Sequence, residues 1–235
     1  MLESLKKAVW EANKQLAHSG LVKLTWGNVS AFDRESGLCV IKPSGVAYSA
    51  MEPKDMVVVD LEGKVVEGRL RPSTDTPTHI RLYRAFSDDI GGIMHSHSRW
   101  ASAWAQAQRP IPLLGTTHAD LSPHPIPVTR AMTREEVLGE YEAETANVII
   151  EALEGRSPLE CPAVLVAGHG PFCWAKTPMA AVEVAISLEE IAQMAWATVL
   201  LEPRSTPLAS HLVERHFFRK HGPASYYGQP GDARE

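Results

Sequence analysis

Two histidines one residue apart, His95 and His97, end the apolar run Gly92-Ile-Met-His-Ser-His97. In an extended strand, side chains at i and i+2 point to the same face. Two imidazoles on one face suit a borderline divalent cation such as zinc. A third imidazole, His169, stands between two glycines after the buried-looking run Ala163-Val-Leu-Val-Ala167, and Asp75 offers an oxygen. Three nitrogens with at most one carboxylate leave coordination positions for a substrate, as in a catalytic rather than a closed structural site. Each feature alone has a plainer explanation. A His-x-His pair can be an accident of packing, and a histidine between glycines marks a tight turn. Their combination points to a metal.

Three short segments suit a phosphate. Thr25-Trp-Gly-Asn-Val-Ser30 supplies Gly27 and the Asn28 amide, after a helix and a short apolar strand. Lys42-Pro-Ser-Gly45 combines a cation, the Ser44 hydroxyl and Gly45, and Arg71-Pro-Ser-Thr-Asp75 sets the Ser73 and Thr74 hydroxyls just before a helix start. Backbone N–H groups at a helix N-terminus, with hydroxyls and one lysine, match a phosphate monoester dianion. Singly these are turns or caps; together they suggest a small phosphorylated substrate beside one metal. Candidate acid–base groups are His118 and Asp120 in Gly115-Thr-Thr-His-Ala-Asp120, and the tyrosines of Ala224-Ser-Tyr-Tyr-Gly228. A tyrosine that donates a proton to an alkoxide needs a nearby cation or metal to lower its pKa. His216 and Arg219, three apart on the last predicted helix, share a face and could supply that charge.

The elements that must hold these residues are readable in outline. Helical spacing of Leu5, Val9, Ala12 and Leu16 predicts a helix over 2–19, stopped at Gly20. Strands are expected at 38–41, 56–59 and 92–97, with 64–67 as a hairpin partner, and again at 163–167 and 171–174. Thr76-Pro77 reads as an N-cap followed by proline, opening a helix through Phe86. Further helices are expected around Trp100 and Trp104, over 134–153, over 178–201 with Glu183, Glu189 and Glu190 on a solvated face, and over 208–220. Leu121-Ser-Pro-His-Pro-Ile-Pro127 is a rigid loop, and residues 230–235 are expected to be a disordered tail. Hairpin-like strands broken up by helices imply a three-layer α/β/α arrangement around a mainly antiparallel sheet, in a single domain spanning 1–229. No GxGxxG or Walker sequence supports a nucleotide fold.

Composition narrows the classes further. The chain has 235 residues, 44% of them hydrophobic and 22% charged, which suits an ordinary globular protein with a substantial core. A net charge of −5 argues against nucleic-acid binding by bulk electrostatics. No apolar run in the sequence approaches the length a membrane span needs, and the N-terminus lacks a signal-peptide pattern, so no membrane partner is expected. Three cysteines without CxxC spacing speak against a disulfide framework, so a reduced, cytoplasmic protein is expected.

Taken in order, KLTWGNVS, IKPSGVAYS, PSTDTPTH, GGIMHSHSRWA, GTTHAD, GEYEAETANVI, GHGPFCW and RKHGPASYYGQ closely resemble the class II aldolase and epimerase superfamily. Within it they resemble the L-ribulose-5-phosphate 4-epimerase branch, over nearly the whole chain to Gln229. The resemblance implies a class II aldolase-like fold and a homotetramer with active sites between subunits. It assigns Asp75, His95, His97 and His169 to one divalent metal per subunit, usually Zn2+, with Mn2+ or Co2+ as substitutes. Gly27, Asn28, Lys42, Ser44, Gly45, Ser73 and Thr74 match the substrate phosphate site. Asp120 and Tyr227 match the two acid–base residues, with Tyr227 expected to reach a neighbouring subunit's site, and His216 and Arg219 match residues supporting that end of the pocket. The implied reaction is retro-aldol cleavage between carbons 3 and 4 and re-addition to the other face of the aldehyde, interconverting L-ribulose 5-phosphate and D-xylulose 5-phosphate. An aldolase that releases both halves of a related ketose phosphate is the nearest alternative, and a non-catalytic scaffold a third. The chain departs from the family pattern where Leu121-Ser-Pro-His-Pro replaces an aromatic, glycine-containing stretch, at Gly168, and at Thr74, where the hydroxyl is kept.

Overall fold

The computed structural model describes residues 2–86, 90–222 and 225–227. Seven strands form one sheet in the order β4-β3-β2-β1-β5-β7-β6, and every pairing between neighbours is antiparallel. In chain order the elements are α1 (Glu3–His18), β1 (Asn28–Asp33), β2 (Leu38–Ile41), β3 (Val57–Val59) and β4 (Val65–Glu67). Then follow α2 (Thr76–Ala85), β5 (Gly92–His95), α3 (Arg99–Gln106), α4 (Thr116–Ala119), α5 (Arg134–Leu138) and α6 (Tyr141–Ala152). The chain closes with β6 (Ala163–Leu165), β7 (Pro171–Ala175), α7 (Pro178–Leu201) and α8 (Ser210–Phe218).

The sheet separates two apolar cores. Side chains alternate along a strand, so Met94 of β5 joins Val9, Leu16, Val29 and Leu188 on the face covered by α1, α3 and α7. Its neighbour Ile93 joins Leu82, Tyr83, Ile149, Phe172 and Trp174 on the face covered by α2 and α6. Fully buried side chains such as Trp174 and Leu16 each stabilise the fold by roughly 1.5–3 kcal/mol. The expected three layers are present, with the sheet antiparallel throughout.

Several sequence expectations need correction. The first strand lies over 28–33, after the Gly27 turn rather than before it, and it is central because it pairs with both β2 and β5. The single helix expected over 134–153 is two helices, α5 and α6, broken at Gly139, a residue that weakens a helix interior by its backbone freedom. The N-cap of α2 is Asp75 rather than Thr76. Asp75 makes no side-chain cap bond; its carboxylate is engaged elsewhere, as described below. The α7 helix, 24 residues long with an 18-residue stretch of mean hydropathy 1.4, is long and apolar enough to cross a bilayer by length and composition alone. It lays Ala181, Val182, Leu188 and Ile191 on the core beneath the sheet. On the same helix Glu189 is not part of a solvated face: its carboxylate accepts from the N–H groups of Trp100 at 2.7 Å and Ala101 at 3.0 Å, capping α3. The expected tail at 230–235 lies outside the described residues.

Candidate metal and phosphate site

The three predicted imidazoles converge. Ring nitrogens of His95, His97 and His169 all lie within 4.8 Å of one another, and the ring centroids are 4.7–5.0 Å apart. His95 ends β5, and Asn28 of β1 pairs with it across the ladder. Its ring stacks on Phe172 at 4.1 Å, and its Nδ1 lies 3.0 Å from the carbonyl of Pro171. Donation from Nδ1–H to that carbonyl fixes the tautomer and leaves Nε2 for a metal. His169 sits in the turn between β6 and β7, closed by Val166 N–H on the carbonyl of Gly170. The Gly-His-Gly run is a tight turn, and that turn presents the His169 ring to the other two imidazoles. Gly168 adopts φ +72, and a Cβ on Gly170 would lie 2.6 Å from the Ser96 carbonyl oxygen. That close approach brings His169 against His97.

Burial favours the neutral form of two of these rings, His97 and His169. Desolvation lowers His97 below its ordinary value, and it lowers His169 to about 3, with His95 and His97 adding to the effect. Neutral imidazoles carry the lone pair a metal needs. Asp75 lines the same cavity without joining the close histidine trio. Burial alone would raise its carboxyl, but His95, His79 and the Asn28 amide outweigh that and hold its pKa below the usual value. Asn28 Nδ2 donates to Asp75 Oδ2 at 2.6 Å and to Ser73 Oγ at 3.0 Å, which explains why Asp75 leaves the α2 cap. Three imidazole nitrogens beside one carboxylate fit a divalent cation with room for substrate.

The phosphate candidates Gly27, Asn28, Lys42, Ser44, Gly45, Ser73 and Thr74 line this same cavity, whose volume is about 400 Å³, within the range of small-molecule sites. Backbone bonds zip two of their loops together, from Ser44 N–H to the Arg71 carbonyl and from Ser73 N–H to the Lys42 carbonyl. Lys42 is 2% exposed, and burial lowers its ammonium to about 8. Its described contacts are the carbonyls of Thr25 and Pro43 and the ring of Tyr48, none of them anionic, so its charge is left for a ligand. Tyr141 and Glu142 also line the cavity and were not anticipated. Tyr141 approaches His169 Nδ1 at 3.4 Å; its motif GEYE was visible in the sequence, but nothing in its spacing tied it to a histidine 28 residues on.

The acid–base candidates form a separate cluster that lines no part of this cavity. Arg219 holds both oxygens of Asp120, at 3.0 and 2.6 Å. His216 Nδ1 is 3.0 Å from the same carboxylate and Lys220 Nζ 3.4 Å. Burial raises Asp120, and Arg219, His216 and Lys220 more than reverse this, leaving it an anion. The Tyr227 ring lies over Arg219 and Lys220, at 5.1 and 4.4 Å, so the cations expected beside it are present. His216 and Arg219 thus hold Asp120 rather than line the Lys42 cavity. His118 is buried, its Nε2 3.0 Å from the His124 carbonyl. With Ser122 Oγ donating to the Glu160 carbonyl, it pins the divergent loop after Asp120.

The sequence profile of the Class II Aldolase and Adducin N-terminal domain matches residues 7–196. The chain is 54% identical over 228 residues to L-ribulose-5-phosphate 4-epimerase UlaF of Salmonella paratyphi B, covering 97% of this chain and all of that one. The protein of the same name from Salmonella typhi matches with the same identity and coverage. Among solved structures, an L-fuculose 1-phosphate aldolase superposes with a TM-score of 0.76 at 28% identity, covering 91% of this chain and 94% of that one. The L-fuculose-1-phosphate aldolase of Thermus thermophilus superposes with a TM-score of 0.68 at 26% identity, covering 86% and 99%. By profile, full-length identity and fold, this chain belongs to the class II aldolase family.

Proposed function

We propose that the protein is a divalent-metal-dependent epimerase that interconverts L-ribulose 5-phosphate and D-xylulose 5-phosphate. The observation that carries this reading is that the histidine trio with Asp75 and the Lys42 phosphate cradle open into one cavity. The name carried by the full-length relatives at 54% identity supports the sugar and the reaction. His95, His97, His169 and Asp75 would hold the cation, with zinc the best match to three imidazoles and a carboxylate. When bound, such an ion supplies Lewis acidity at the substrate carbonyl and stabilises the negative charge that develops as the bond between carbons 3 and 4 breaks.

The chain's own residues do the rest. Lys42, Ser44, Ser73, Thr74 and the backbone at Gly27 and Gly45 hold the phosphate, so the cleaved aldehyde stays in place and can turn its other face. Inversion at carbon 4 moves its oxygen from one side to the other. One group must therefore take the hydroxyl proton on one face, and a second must return a proton on the other. Asp120 and Tyr227 are assigned these roles. Because both sit in a cluster away from the cavity, with His216 and Arg219, the reading extends to a homotetramer. In it the cluster of one subunit closes over the cavity of the next, and Asp120 crosses together with Tyr227. The buried free thiols of Cys39, Cys161 and Cys173 support a reducing, cytoplasmic setting.

A second reading, an aldolase releasing both halves, is favoured by the aldolase names of the structural neighbours. An NMR time course of zinc-loaded protein with L-ribulose 5-phosphate separates the two. Appearance of D-xylulose 5-phosphate supports the epimerase. Equal accumulation of dihydroxyacetone and glycolaldehyde phosphate supports the aldolase, and no change in metal-loaded protein overturns both for this sugar.

A further inference from the structure

Tyr48 belongs to none of the roles above. It follows β2, three residues past Gly45, and is 6% exposed. Its hydroxyl lies 2.9 Å from the Trp26 carbonyl oxygen and 2.8 Å from that of Gly27, and burial keeps it protonated by pushing its pKa up. Its ring lies 4.8 Å from Lys42 Nζ, within the reach of a cation–π contact. Lys14 of α1 donates to its carbonyl at 3.0 Å, which ties the residue to the first helix.

Three successive carbonyls of the first phosphate loop are therefore held by donors from the second. Lys42 Nζ takes Thr25 at 3.3 Å, and the single Tyr48 O–H is shared between Trp26 and Gly27 as a three-centre bond. In a trans peptide the N–H points opposite to the C=O. Fixing the Trp26 and Gly27 carbonyls on Tyr48 thus turns the N–H groups of Gly27 and Asn28 away from it. One side chain sets the direction of the Gly27 N–H, while the Asn28 N–H lies in the β1–β5 ladder opposite His95. The Tyr48 ring sets the place of the buried cation.

We propose that Tyr48 is a positioning residue for phosphate recognition, locking the Gly27-Asn28 turn and Lys42 into one relation so that both address the same phosphate. This inference rests on the reading of the cavity as a site for a phosphorylated substrate. Tyr48→Phe keeps the ring and loses the tie to the loop. The Kd for inorganic phosphate, by calorimetry on zinc-loaded protein, should rise about tenfold, as for the loss of one buried hydrogen bond. The KM for L-ribulose 5-phosphate should rise in step, with kcat within about twofold and metal content unchanged. A merely structural tyrosine would lower the active fraction, hence kcat, and leave KM alone; that result, or an unchanged Kd, overturns the proposal. Lys42→Met separates the two levels. If that variant also binds phosphate like the wild type, the phosphate reading itself fails. If it loses phosphate while Tyr48→Phe does not, only the role of Tyr48 fails. In the wild type, phosphate should shift the Gly27 amide resonance, and its staying in place overturns the proposal even if the variant does not fold.

Discussion

Gly170 decides whether the third imidazole reaches the other two. A Cβ there would meet the Ser96 carbonyl at 2.6 Å and His97 Cδ2 at 3.2 Å, so either the turn carrying His169 or the strand end carrying His97 must move. Gly170→Ala should weaken zinc binding by about 10–100-fold, as for other changes that disorient a ligand, in a chelator competition; unchanged affinity would mean the trio tolerates the shift. Lys42 gives a second test. Its ammonium, at about 8, is charged below that pH and neutral above it, so anion affinity is greatest below about pH 8 and falls as pH rises. Sulfate, whose own charge is constant over this range, should lose affinity at up to about tenfold per pH unit above 8, the limit for one linked proton. A flat profile to pH 9.5 would place the anion elsewhere. At this scale much was legible, because His95, His97, His169 and Lys42 announce themselves by type and by the strand ends they follow. Tyr48, Tyr141 and Glu142 did not, since a tyrosine or glutamate in a mixed segment carries no sign of which cavity it faces.

Elements position these residues through contacts that sequence spacing cannot reveal. The α3 helix starts two residues after His97, and its N-cap residue Ser98 makes no side-chain cap bond. Glu189 supplies that function from α7, 88 and 89 residues away from the two N–H groups it accepts, and its negative charge suits the positive end of the helix dipole. Periodicity alone put it on a solvated face, because the partner that claims it is far away in the chain. Glu189→Ala should cost about 1–2 kcal/mol, the upper range for loss of a helix cap, seen as a lower thermal midpoint. It should also speed zinc loss, because the first turn of α3 sits directly behind His97. Glu189→Gln keeps an acceptor oxygen and should recover part of both effects. A stable Glu189→Ala protein with normal zinc retention would show that α3 is held by its apolar side, through Ala101, Trp104 and Ala105. The same limit explains the misplaced first strand: 28–33 mixes polar and apolar residues because the Asn28 and Ser30 side chains serve buried hydrogen bonds, which hides its central place in the sheet.

At the scale of the whole molecule, the chain carries two incomplete chemistries. One end of the sheet presents the candidate metal ligands and the candidate phosphate cradle with no acid–base pair among the residues assigned that role; Asp120, His216, Arg219 and Tyr227 gather elsewhere, around α4 and α8. Sequence order could not reveal this division, since Asp120 lies between His97 and His169 in the chain and yet joins neither. If a second copy unites the halves, two inactive proteins should repair each other. His97→Ala destroys the metal half and spares the cluster; Tyr227→Phe does the reverse. Each alone should be inactive or nearly so. Co-refolded in equal amounts, they should form mixed oligomers in which about a quarter of the sites draw a sound half from each parent, the statistical share for a closed ring of like interfaces. Recovered activity near that fraction, in assemblies shown to be mixed, would establish sites shared between subunits. Mixed assemblies that stay inactive would mean that each chain completes its own site, which would require α8 and the residues following it to swing across to the cavity on binding substrate.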